Sequence, residues 1–136
     1  MARLGSLSHI YLTVTDIERS AALYRPVMEF LGFRLVKIDW DRAAWDAPES
    51  GAPQRFTLVA AKADRAYPGH DRYSPGLHHI CWHADSREQV DALHRLLLKH
   101  SLTVLDTPTE YGYAPGYYAV FFADPDGIKL ELAHIP

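Results

Sequence analysis

The chain has 136 residues, 48% of them apolar and 23% charged, with a formal net charge of −3. That length suits one domain with a sizeable core. No charge run offers a footprint for nucleic acid or an anionic membrane, no apolar run approaches the ~20 residues of a membrane span, and the single cysteine, Cys81, rules out an internal disulfide framework.

Residues 7–14 alternate as a half-buried strand does. Leu7, His9, Tyr11 and Thr13 fall on one face; Ser8, Ile10, Leu12 and Val14 fall on the other. Thr15 and Glu18 have the spacing of a capping box. Ile17, Ala21, Tyr24, Met28 and Leu31 then follow at helical spacing, and Gly32 ends the helix. Pro26 lies inside it, so a kink or break is expected near Tyr24–Arg25. Strands are predicted at 33–40, 43–47 and 54–61, with a Pro/Gly-rich turn from Pro48 to Pro53 before the last. Residues 63–76 have linker composition.

From Leu77 the chain repeats itself. Leu7-Ser8-His9-Ile10 is echoed by Leu77-His78-His79-Ile80, the Thr15/Glu18 pair by Asp85/Glu88, and Leu23 by Leu93. A second helix is predicted from Asp85 to about Lys99, burying Val90, Leu93 and Leu97. A short strand at 102–105, a Tyr/Gly/Pro-rich loop at 106–116 and a hairpin of 117–123 and 128–134 follow. The hairpin turns at Asp124-Pro125-Asp126-Gly127. The expected architecture is α+β, with two βαβββ modules (7–62 and 77–135) joined by the linker. Neither module alone covers both faces of a four-strand sheet, so the two must pair.

Pairing about a pseudo-twofold axis brings His9 and His79 to equivalent positions. On the last strand Lys129, Glu131 and Ala133 share a face opposite Leu130 and Leu132, so Glu131 is expected to face inward with the histidines. Two histidines and one carboxylate with open positions suit a divalent ion. Each residue alone also reads as something plainer: a half-buried strand histidine, or a solvated edge carboxylate.

His9-Ile-Tyr-Leu-Thr-Val-x-Asp16, His79-Ile-Cys-Trp and Phe122-x-Asp124-Pro-Asp-Gly-x-Lys-Leu-Glu131-Leu resemble the vicinal oxygen chelate superfamily. That group holds glyoxalase I, extradiol dioxygenases, methylmalonyl-CoA epimerase, fosfomycin-resistance transferases and bleomycin-binding proteins. The resemblance runs from Leu7 to about Ile135. It implies one glyoxalase-like domain over residues 1–136, whose paired modules form a funnel of curved mixed sheet. It also implies one divalent ion (Fe, Mn, Zn, Ni or Co) held by His9, His79 and Glu131. In many short members a second chain completes each funnel, which implies a homodimer.

Glyoxalase I and the epimerases carry a fourth Glu or Gln ligand on the last strand of the first module. Here the matching position falls near Thr57, and residues 55–61 contain no Glu, Asp, His or Gln. Three ligands resemble the extradiol and fosfomycin enzymes more closely. Yet Tyr11 stands where the latter place Thr, and most of the former are about twice this long.

The reading is therefore a metal-dependent enzyme of the lyase, dioxygenase or transferase type acting on a small oxygen-rich substrate. The alternative is a non-catalytic protein that sequesters an antibiotic or aromatic molecule. Glu131 and His83 are the candidate catalytic groups, His83 also reading as a surface histidine. Tyr11, Arg55, Cys81, Tyr118 and Lys129 are the candidate substrate contacts. Arg55 binds either an anionic group or a salt-bridge partner, and Cys81 reads as a small core residue rather than a nucleophile. Trp40 and Trp45 form either an aromatic wall or core packing. Tyr111, Tyr113, Tyr117 and Tyr118 form either a lid or ordinary turn packing. The expected partners are a small molecule and a second copy of the chain. No signal-peptide core stands at Met1–Ser6, and the expected location is the cytoplasm.

Overall fold

The computed structural model describes residues 4–48, 54–66 and 69–136. The chain divides into two compact units, Met1–Pro68 and Gly69–Pro136. Each is a four-stranded mixed sheet with one helix against it.

The first unit runs β1 (His9–Val14), α1 (Ile17–Phe30), β2 (Arg34–Ile38), β3 (Arg42–Asp46) and β4 (Arg55–Ala60), in sheet order β1-β4-β3-β2. β1 lies parallel to β4 and the other pairs are antiparallel. Leu12, Val14, Phe56, Leu58, Ala43 and Trp45 are buried, and α1 adds Ile17, Leu23, Tyr24, Val27 and Met28. Tyr24 meets Phe56 with ring centroids 5.6 Å apart, which identifies that face of the sheet as the one α1 covers. Trp45 therefore belongs to the core, whereas Trp40 is 83% exposed. Most of the turn expected at Pro48 to Pro53 lies outside the described residues.

The second unit repeats the plan with β5 (His79–His83), α2 (Arg87–Lys99), β6 (Thr103–Glu110), β7 (Tyr118–Ala123) and β8 (Lys129–His134), in order β5-β8-β7-β6. The closing hairpin is locked by Asp124. Its Oδ1 accepts from the backbone N–H groups of Asp126 and Ile128, both at 2.9 Å, and Gly127 turns through φ +84°.

Several expectations need correction. Pro26 does not break α1, which runs unbroken to Phe30. One lost backbone donor is outweighed because Tyr24, Val27 and Met28, on both sides of it, are fully buried. The helix caps sit one residue later than the capping-box spacing suggests. Asp16 accepts from the Arg19 N–H at 2.8 Å, and Ser86 accepts from the Gln89 N–H at 3.3 Å. Each neighbours another good cap residue, so the spacing alone does not choose. β6 extends to Glu110 rather than stopping at 105, taking up much of the expected loop. It tolerates Pro108 because it is an outer strand, and its pairing with β7 is irregular between Asp106 and Thr109. The stretch read as linker includes one 3-10 turn, Ala63–Arg65.

Candidate functional site

In both units the first strand lies parallel to the last, and the registers match. His9 pairs with Arg55 and Tyr11 with Thr57; His79 pairs with Lys129 and Cys81 with Glu131. His9 and His79 are thus equivalent, and Thr57 stands where the second unit has Glu131. Thr57 is 1% exposed, and its hydroxyl has no hydrogen-bond partner among the described residues.

In the second unit the face away from α2 carries His79, Cys81, His83, Lys129, Glu131 and Phe121. β8 is flanked by β5 and β7, so Glu131 is not a solvated edge residue; its side chain is 2% exposed. A carboxylate so placed needs partners for both oxygens. Oε2 accepts the hydroxyl hydrogen of Tyr117. Oε1 lies 3.2 Å from Nε2 of His79, whose side chain is 34% exposed. The other imidazole nitrogen, Nδ1, is 2.7 Å from Nδ1 of His78. In the first unit Nδ1 of His9 is held in the same manner, 3.0 Å from Oγ of Ser8. Each strand histidine therefore has Nδ1 engaged by the residue before it, which fixes the ring and leaves Nε2 for other work.

Aromatic rings surround the carboxylate. Tyr111 stacks on Tyr113 at 5.3 Å, and Tyr117 meets both edge-on. Phe121 lies 6.4 Å from the His79 ring, with the Lys129 ammonium 4.4 Å from its centroid. Burial, followed by the hydrogen bond to Glu131, raises the Tyr117 hydroxyl well above its ordinary pKa, so it stays a donor at any physiological pH. Cys81 is an exposed residue rather than a core one. Desolvation of its thiol, then the charge of Glu131, pushes its pKa up to about 12.

Not every candidate gathers here. Tyr118 turns to the helix side of β7, donates to Asp91 Oδ1 at 2.7 Å and lies beneath Arg87. Tyr117, one residue earlier, is the tyrosine that reaches Glu131. Strand parity carried that signal: Phe121 is paired with Glu131, and residues two and four before it fall on the same side. His83 ends β5 opposite Ala133, on the Glu131 face.

In the first unit His9 lines a recess of about 400 Å³ with Ser8, Tyr11, Asp46, Gln54 and Arg55. Arg55 makes a two-pronged contact with Asp46 at 2.7 and 3.0 Å, so its salt-bridge reading is realised. His9 meets Tyr11 edge-on at 5.4 Å, and the Arg42 guanidinium lies 5.6 Å from the Tyr11 centroid.

His79 Nε2 and Glu131 Oε1 fit a metal ion. Donors about 2.0–2.2 Å from one ion stand about 3 Å apart. Among the described residues, no group of three or more His, Cys, Asp or Glu side chains is already gathered. No helix of the described residues is long and apolar enough to cross a membrane, a test that does not address strands.

Residues 6–132 match the model of the Glyoxalase/Bleomycin resistance protein/Dioxygenase superfamily. The uncharacterized protein YqjT of Bacillus subtilis (strain 168) is 33% identical over 129 residues, covering 93% of this chain and 96% of that protein. The crystal structure of a candidate glyoxalase from Bacillus halodurans aligns with TM-score 0.83 at 26% identity, covering 97% of each chain. A lactoylglutathione lyase from Agrobacterium tumefaciens aligns with TM-score 0.66 at 20% identity, over 96% of this chain and 93% of that one, a likeness of fold alone.

Proposed function

Because the chain belongs to the glyoxalase/bleomycin resistance protein/dioxygenase superfamily, we propose that it is a divalent-metal-dependent enzyme acting on a small oxygen-rich substrate. The observation that carries this reading is the buried Glu131 carboxylate with its Oε1 3.2 Å from His79 Nε2. A buried carboxylate is costly to keep unless it is paired or binds a cation. His79 and Glu131 would hold the ion together with His9, which has the same strand position and the same engaged Nδ1. Bound there, a divalent ion supplies Lewis acidity for vicinal substrate oxygens.

The chain's own groups have defined parts. Tyr117 holds Oε2, which would leave Oε1, beside His79, free for a bound ion. Burial, then the neighbouring positive groups His79, Lys129 and Arg72, lowers the pKa of His78. That favours its neutral form, whose Nδ1 would accept a hydrogen bond from His79 Nδ1–H and so orient Nε2 toward a bound ion. Cys81 remains a thiol and takes no part as a nucleophile.

Metal binding tests the reading. Purified protein titrated with Mn(II), Co(II), Ni(II) and Zn(II) should bind one equivalent per chain. Glu131→Gln, His79→Ala and His9→Ala should each weaken that binding by at least about 100-fold. Unchanged affinity in all three variants would refute it and favour the sequestering alternative.

A further inference from the structure

The helix-free face of the first unit carries more positive than negative charge, in a row that reaches from Arg34 to the His9 recess. Register places Arg55 next to His9, Asp46 next to Arg55 and Arg34 next to Asp46, so these groups form one row across the sheet. Arg42 lies two residues before Ala44, hence on the same face, with its guanidinium against Tyr11. Asp46 is fully committed. Arg55 grips both its oxygens, and Arg34 stands 3.6 Å from Oδ2. That leaves three arginines against one carboxylate, Lys37 on the same face being paired with Asp39 at 3.4 Å, and Arg42 has no ion-pair partner among the described residues.

We propose that this face is an oxyanion subsite, taking a carboxylate or phosphate group of the substrate through Arg42, which lies against Tyr11 of the His9 recess, with Arg34 adding positive charge beside Asp46 of the same recess. The substrate class becomes a small oxygen-rich molecule bearing an anionic group, an assignment that rests on the metal-enzyme reading above. Arg55 contributes by neutralising Asp46, so that the aspartate does not repel the incoming anion. Tyr11 contributes through the cation–π contact that holds the Arg42 guanidinium beside the recess. The equivalent face of the second unit sets Lys129 against Glu131 and Asp106, so the positive surplus belongs to the first unit.

The probes are inorganic phosphate and succinate, titrated separately into the metal-free full-length protein and followed by the ring proton resonances of His9, assigned with His9→Ala. Saturable shifts are expected for at least one probe, and which one binds tells phosphate from carboxylate. Arg42→Gln and Arg34→Gln should each weaken binding by about tenfold, and Arg42→Lys by less. Divalent-metal affinity should not change in any of these variants, which separates this proposal from the metal site. Arg34 is highly exposed, so its variant keeps the test valid if Arg42→Gln does not fold. Equal anion affinity in Arg34→Gln and wild type, or no His9 shift with either probe, overturns the proposal.

Discussion

The Tyr117 hydroxyl and the Glu131 carboxylate, fourteen residues apart in sequence, meet inside the second sheet face, and the hydrogen bond leaves only one oxygen of Glu131 facing His79. Tyr118 makes its own bond on the opposite side, to Asp91, 27 residues away. Two adjacent tyrosines thus form a matched pair for experiment. Tyr117→Phe should lower divalent-metal affinity by about 10–100-fold, the usual effect of losing a group that orients a ligand. Tyr118→Phe should leave metal affinity unchanged and cost only stability, about 1–3 kcal/mol. Isothermal titration and thermal melts of the two variants check this. Equal metal affinity in both would remove Tyr117 from the site.

Thr57 occupies the Glu131-equivalent position with a buried hydroxyl that has no partner among the described residues. Thr57→Val should raise stability by about 1 kcal/mol, because an unsatisfied buried hydroxyl costs about that much. Metal affinity should not change. The protein should also fail to turn over the glutathione hemithioacetal of methylglyoxal, since the proton shuttle there calls for a second acidic group. Robust turnover, or a metal-binding defect in Thr57→Val, would show that this position is more than filler.

The Cys81 thiol, raised to about 12, is protonated throughout the physiological range. The group carries no charge until the pH nears that value, so thiolate appears only in strong alkali. Alkylation of the metal-free protein by iodoacetamide at pH 8 should be slower than that of a free thiol by about one to two orders of magnitude. Its rate should still be climbing at pH 10. Glu131→Gln removes the adjacent negative charge and should accelerate it. Mass spectrometry of timed aliquots gives the rates, and an ordinary rate at pH 8 would contradict the desolvated setting.

α1 ends on Gly32 at φ +84°, and α2 ends on Ser101 at φ +55° in the same role. Both closures donate from the next residue back to the helix, Phe33 N–H to Met28 C=O at 2.9 Å and Leu102 N–H to Leu97 C=O at 2.8 Å. A side chain in this conformation costs about 1–2 kcal/mol that glycine avoids. Ser101→Gly should therefore stabilise the protein by about 0.5–1 kcal/mol after glycine's entropy cost. A lower melting temperature would sink the argument.

The repeat was legible because strand alternation and helix stripes have fixed periods. His9 and His79, Leu23 and Leu93, and Glu131 opposite Leu130 and Leu132 all follow from counting by two or by three and four. The misses arise where counting offers two adjacent choices of similar chemistry. Thr15 or Asp16, Asp85 or Ser86, and Tyr117 or Tyr118 are each separated by one residue. In a strand one residue reverses the face. The Arg55–Asp46 contact was illegible for another reason: it depends on the β3–β4 register, and most of the intervening turn gave no anchor for it.

Among the described residues β2 pairs only with β3, which leaves its other backbone edge as a template for another strand. The strand reads Arg34-Leu-Val-Lys-Ile38, and Val36 and Ile38 are about two-fifths exposed. Such an edge invites a stranger's strand, and charged side chains are what make that visit unfavourable. Two chains docking edge to edge here would bring Arg34 and Lys37 against their own copies. The irregular pairing between Leu35 and Lys37 also spoils the flat ladder that a fibril requires. Arg34 and Lys37 thus guard colloidal solubility together, and a chain stripped of both would meet its own copies before it met any ligand.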